Sequence, residues 1–161
     1  MKSVYVETSV LSYLTARPSA NLVAAARQRL TCDWWELHRP RFRLFISPLV
    51  EAEASRGDPR AAERRLAAAD GLPSLDVLPE ALELAARLLA EGALPAEAAD
   101  DAAHVALAAV HGIDYLLTWN CRHLDNAEMK PVIRAACALA GYPCPEICTP
   151  DELMGCGDHE G

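Results

Sequence analysis

Four polar residues stand at comparable places along the chain. Glu7 directly follows the apolar run Val4-Tyr5-Val6, and Glu53 lies seven residues past Ile46 in the segment ISPLVEAE. Asp101 falls in the first half of an Ala-rich helical stretch, and Asn120 comes just past Tyr115-Leu116-Leu117-Thr118. Carboxylates gathered from distant segments repel one another unless a cation sits among them. Hard divalent cations take oxygen ligands, and Mg2+ keeps several of its waters. Such a centre holds one or two metals and can hydrolyse a phosphodiester in line. Glu7, Glu53 and Asp101 are the candidate metal ligands, and with Asn120 they form the candidate catalytic set.

Each member competes with a plainer explanation, because an acidic residue on a helix is usually just solvated. Glu51 and Glu53 are two residues apart and point about 200° apart on a helix, so only one can face a site. Asp100 and Asp101 pose the same question at about 100°. Asp101 and His104 are three apart and share a face. His104 is expected to support or pack against the site, since imidazole suits softer metals than Mg2+. Glu7 is harder to dismiss. It ends an apolar strand and precedes two hydroxyls, Thr8 and Ser9, and in a parallel sheet ligands sit outside the carboxyl ends of the strands.

The elements that must position these residues follow from patterning. Strands are expected at residues 3–6, 44–46, 75–78 and 114–118, with a small one at 146–148. Helices are expected at 8–14, 20–38, 48–57, 58–71, 79–92, 95–112 and 126–140. Ser47 and Pro48 read as an N-cap and first turn, and Pro40 as a helix stop. Trp34-Trp35 is expected to be core or an interface anchor. Alternating strands and helices, with connections long enough for parallel crossovers, predict an α/β fold. The expected architecture is a three-layer α/β/α sandwich around a mostly parallel sheet of four to five strands. Residues 1–154 form one domain in this reading, and residues 155–161 a mobile, Gly-rich tail.

Composition bounds the function. The formal net charge of −8 argues against broad electrostatic binding to nucleic acid, although a carboxylate cluster awaiting Mg2+ adds to that figure. The basic residues are local, with Arg56, Arg60, Arg64 and Arg65 in one group. None of the six cysteines forms a CxxC pair, which argues for reduced thiols over a zinc site. No run approaches a membrane span and no apolar leader is visible, so a cytoplasmic location is expected. The glycine-rich phosphate loops and the GxSxG elbow are absent.

The segments VYVETSVLSYL, FISPLVEAEASRGDP and DDAAHVALAAVHGIDYLLTWNCRHL, in this order and spacing, resemble PIN-domain ribonucleases of the VapC toxin type. The likeness covers most of residues 3–125. It implies a parallel sheet between helices, and clustered acids that bind Mg2+ or Mn2+ and cut RNA. It also implies a small cognate antitoxin as protein partner and a homodimer. Matched position by position, the family's acids fall on Glu7, Glu53 and Asp101, and its fourth polar position on Asn120. Thr8, Ser9 and Thr118 match the hydroxyls that orient the ligands.

Two departures stand out. Most such proteins carry Asp where this chain has Glu7, which is longer by one methylene. Asn120 replaces a common Asp, leaving three formal negative charges in the inner set rather than four. Both occur together in a subgroup reading ETS…TWN. The implied result is one firmly bound Mg2+, with a second recruited by the phosphate. The alternatives are a PIN-like binding module for RNA or a protein that cleaves weakly, and a metal-dependent phosphatase or DNA nuclease using the same acids.

Overall fold

The structure is a computed structural model that describes residues 1–155. Among these residues the strands are β1 (Ser3–Val6), β2 (Arg43–Phe45), β3 (Tyr115–Leu117) and β4 (Glu146–Cys148). The α-helices are α1 (Thr8–Thr15), α2 (Leu22–Asp33), α3 (Pro48–Ala54), α4 (Pro59–Ala69), α5 (Pro79–Ala90), α6 (Ala99–Val110) and α7 (Lys130–Leu139). The strands form one sheet in the order β2-β1-β3-β4, and every pairing is parallel. This is the expected three-layer α/β/α arrangement. Apart from Gly155, the tail expected to be mobile lies outside the described residues.

β1 is the organising strand. Val4, Tyr5 and Val6 have no exposed surface, as suits a central parallel strand covered on both faces. Each such apolar side chain contributes roughly 1.5–3 kcal/mol relative to an exposed one. One continuous core runs from Val4 through Leu84, Val105 and Leu116 to Leu153. α1 to α4 pack among themselves, and α5 packs on α6 and α7. At the amino edge of the sheet the Ser3 amide and hydroxyl donate to Asp114 Oδ2 at 2.9 and 3.1 Å, pinning β1 to the start of β3. No helix among the described residues is long and apolar enough to cross a membrane.

Three expectations need correction. Residues 75–78 are not a strand. Ile46 and Ser74 make a single parallel bridge, and Val77 is already 44% exposed. Pro73 and Pro79 bracket this stretch, and proline cannot donate to a ladder, so pairing does not extend. The long helix at 20–38 is α-helical only to Asp33. It widens to a π-helical turn at Trp34–His38 and tightens to a 3-10 turn at Arg39–Arg41. Pro40 lacks the N–H that regular winding needs and crowds the preceding turn. Likewise residues 96–98 wind as a 3-10 turn before α6 begins. Trp34 is fully buried and stacks on Phe42 with centroids 5.9 Å apart, so it is core.

The sheet order places the site. The chain leaves β1 for β2 on one side and later returns to β3 on the other. β1 and β3 therefore meet where strand order reverses, and ligands bind at the carboxyl ends of such a pair. Glu7 directly follows β1 and donates its backbone N–H to Leu117 O at 3.1 Å, continuing the pairing. Thr118 directly follows β3.

Candidate metal centre

Glu7 caps α1. Its Oε2 accepts the Ser9 N–H at 3.0 Å, and its Oε1 accepts the Ser9 and Thr118 hydroxyls, the latter at 2.6 Å. A carboxylate beside the first amides of a helix is favoured by the helix dipole. Here it also draws the carboxyl ends of β1 and β3 together. The Ser9 hydroxyl additionally accepts the Trp119 N–H at 2.8 Å, so the Glu-Thr-Ser and Thr-Trp-Asn segments interlock. Glu7 is only 6% exposed.

Glu53 reaches the same place from α3. Ser47 caps that helix by accepting the Val50 N–H, and Pro48 occupies its first turn. Glu53 turns inward while Glu51 stays exposed, which settles the choice between them. Glu53 Oε1 accepts the Thr8 hydroxyl at 2.6 Å and lies 2.7 Å from His104 Nε2. Burial pushes the Glu53 carboxyl up, but hydrogen bonds from His104 and Thr8 and the charges of His104 and Arg56 outweigh it, and the net shift is downward.

His104 is buried, and both of its ring nitrogens are engaged. Nδ1 lies 2.6 Å from the Tyr5 hydroxyl, which lies 2.7 Å from the Ser47 hydroxyl. When Nε2–H donates to Glu53, a neutral imidazole accepts the Tyr5 O–H at Nδ1, and Ser47 donates to the Tyr5 oxygen. Burial pushes the Tyr5 phenol well above its ordinary value, so it stays protonated. Burial opposes protonation of His104, but the Glu53 hydrogen bond and the charges of Glu7, Glu53 and Asp101 favour it, and the net shift is upward.

Asp101 projects from the first turn of α6, where the helix dipole favours an acid. Its Oδ1 accepts Asn120 Nδ2 at 3.0 Å, and its Oδ2 lies 3.0 Å from His123 Nδ1. Asn120 Oδ1 in turn accepts the His123 N–H at 3.0 Å, and the Asn120 N–H donates to Thr118 Oγ1 at 2.9 Å. Both ends of the Asn120 amide are therefore engaged. Asp100, the neighbour, points outward and pairs with Arg56 at 3.8 Å.

The expected residues thus form two linked groups. Glu7, Glu53 and His104 bring ligand atoms within 4.8 Å of one another. Asp101 belongs to a second triad with Asn120 and His123, joined to Glu7 through Thr118. His123 was missed at the sequence level, as was Tyr5. The available signal was only that His123 sits three residues past Asn120, the spacing of one turn.

The donor set suits a hard cation. Among the described residues Glu53 Oε2 accepts no hydrogen bond, while Oε1 accepts two. Glu7 and Asp101 keep further lone pairs beyond the donors that hold them. The carboxylates are thus oriented with oxygen capacity to spare, as Mg2+ or Mn2+ would require. His104 offers no free nitrogen and braces Glu53 instead.

No curated protein matches this chain. The PIN domain family matches residues 4–128, the span that runs from β1 past His123 and contains all four expected site residues. PIN domains are typically metal-dependent nucleases. With that match over most of its length, and with Glu7 and Glu53 meeting at the β1–β3 crevice, the chain belongs to the PIN domain family.

Proposed function

We propose that this PIN domain is a Mg2+-dependent endoribonuclease acting as the toxin of a toxin–antitoxin pair, with Mn2+ as an alternative ion. The reading rests on Glu7 and Glu53 meeting beside the carboxyl ends of β1 and β3, with Asp101 linked to them through Asn120 and Thr118 and each acid held by its own donors. A divalent cation supplies a nucleophilic water near neutral pH and stabilises developing charge on phosphate oxygens. The protein's part is positioning. Ser9 and Thr118 hold Glu7, Thr8 and His104 hold Glu53, and Asn120 and His123 hold Asp101. Asn120 serves as the brace of Asp101. Preorganised carboxylates need no rearrangement as the reaction proceeds. Hydrolysis by this route leaves a 5′-phosphate and a 3′-hydroxyl. A small antitoxin and a homodimeric, cytoplasmic form complete the proposal.

One observation favours a second reading, a PIN fold that binds RNA or a protein and cleaves weakly. Glu7 already accepts three donors from the protein and is nearly buried, which satisfies much of its charge without a cation. A mixed RNA pool incubated with Mg2+ and wild type or Asp101→Ala separates the two. Cleavage by wild type alone supports the nuclease. Equal cleavage by both proteins, or by neither after any antitoxin is removed, removes that reading. Single-stranded DNA and a simple phosphate ester, run alongside, test the choice of RNA.

A further inference from the structure

A second surface lies farther along α1 from the acids. A cavity of about 650 Å3 between α1 and α4 is lined by Ser12 and Thr15, by Arg17, Arg60, Arg64 and Arg65, and by Asp58. Four guanidiniums in one groove run against the net charge of −8 carried by the whole chain. Among the described residues none of the four pairs with a carboxylate. Asp58 instead caps α4, accepting the Ala61 N–H at 3.0 Å.

Two of these arginines are built into the backbone. Arg64 Nε donates to Thr15 O at 3.0 Å. Arg65 donates from Nε to Ala54 O at 3.1 Å and from Nη2 to Arg56 O at 2.6 Å. Carbonyls fix these side chains without neutralising them. Arg17 and Arg60 are exposed at the rim. The elements beside the groove, α1 and the end of α3, also carry residues of the acid centre. Ser12 donates to Thr8 O at 3.1 Å, and the Thr8 hydroxyl holds Glu53. Ala54, which anchors Arg65, is the residue after Glu53. From Thr8 to Thr15 the rise along α1 is about 10 Å.

We infer that the α1–α4 groove binds the sugar–phosphate backbone of a single nucleic-acid strand and leads it to or from the acid centre. This deepens the nuclease reading and rests on it for the identity of the ligand. A row of acids repels a polyanion, so a substrate strand needs cationic purchase beside the scissile phosphate. Arginine supplies forked donors to phosphate oxygens. Contacts of this kind position the strand and carry no sequence information, so the groove sets affinity, and base choice lies elsewhere.

The test reads binding, not cleavage. A short fluorescein-labelled single-stranded RNA is titrated with the full chain in EDTA across a salt series, by anisotropy. Arg17→Gln/Arg60→Gln leaves the backbone-bonded Arg64 and Arg65 in place. Its affinity is expected to fall about tenfold at physiological salt, and its slope of log K against log salt to shrink by about 1.4, two contacts' worth on a single strand. Arg87→Gln, which removes a surface charge paired with Glu91 on α5, is expected to leave both unchanged. Unchanged affinity and slope in the double variant overturn the inference, as does an equal loss in Arg87→Gln. So does groove-dependent binding of a glutamate-rich peptide with RNA binding unaffected. Because the metal is chelated, failure of the cleavage experiment and failure of the groove remain distinguishable.

Discussion

His104 Nε2 lies 2.7 Å from Glu53 Oε1, deep under the acid centre, while its other nitrogen lies 2.6 Å from the Tyr5 hydroxyl. One buried imidazole therefore ties a metal-site carboxylate to the central strand. His104→Leu leaves the Tyr5 phenol without that partner, at a cost on the order of 1–3 kcal/mol. The phenol keeps Ser47 as its other partner at 2.7 Å, so Tyr5→Phe is expected to cost less stability in the His104→Leu background than it costs alone. Denaturant titration of the two single variants and the double variant checks this. A double variant that loses the sum of the two single effects would show that the pair is not coupled.

Asn120→Asp restores a fourth carboxylate but takes away the Nδ2 donor that reaches Asp101 at 3.0 Å. Two carboxylates facing each other resist joint ionisation. The variant is expected to melt at lower temperature than wild type in EDTA. Mg2+ or Mn2+ should raise its melting temperature by more than it raises that of wild type, because binding to the folded state alone is stabilising. Thermal scans with and without metal decide it, and equal metal-induced shifts would argue against cation binding between these groups.

Glu7→Asp keeps the charge and shortens the reach. Glu7 Oε1 accepts the Thr118 hydroxyl at 2.6 Å across the β1–β3 junction. Withdrawal by one methylene should break that contact, and a hydrogen bond to a charged group is worth roughly 1.5–3 kcal/mol. A fall of about tenfold or more in RNA cleavage is expected. Activity equal to or above wild type would show that the longer side chain is not required.

Asp114 is one source of acid sensitivity, at the opposite edge of the sheet. The backbone hydrogen bond from Ser3 lowers its pKa most, with further help from the Ser3 hydroxyl, Lys2 and Arg43 against a small opposing effect of burial. A carboxyl depressed in the folded state contributes stability that is full above its unfolded pKa, near 3.8, and lost as pH falls through the lower folded value. Asp114→Asn is expected to be less stable than wild type at neutral pH, with the gap narrowing below about pH 4. Melting curves from pH 7 down to pH 3 measure it, and a gap that stays constant would exclude this linkage.

Much of this was legible from residue order. The apolar runs at Val4–Val6, Leu44–Phe45, Tyr115–Leu117 and Ile147–Cys148 are all strands, because a parallel strand buried on both faces needs an unbroken apolar run. Leu75, Val77 and Leu78 form a weaker run that Asp76 interrupts, and it fails as a strand because its flanking prolines limit pairing to one bridge. Helical period narrowed Glu51 and Glu53 to one candidate, and Asp100 and Asp101 to another. Period alone could not say which, since the buried side is defined only by what packs against it.

The sequence alone determined the α/β class, the parallel crossovers and the acids available at strand ends and helix starts, since these depend on local pattern and chain connectivity. Tertiary structure decided the partners. His123 holds Asp101 across 22 positions, His104 joins Glu53 to Tyr5, and Arg64 and Arg65 are aimed by carbonyls of α1 and of the segment ending α3. Hydrogen bonds between distant segments depend on distances of a few ångströms set by the packing of whole helices on the sheet, and no periodicity in the chain encodes them.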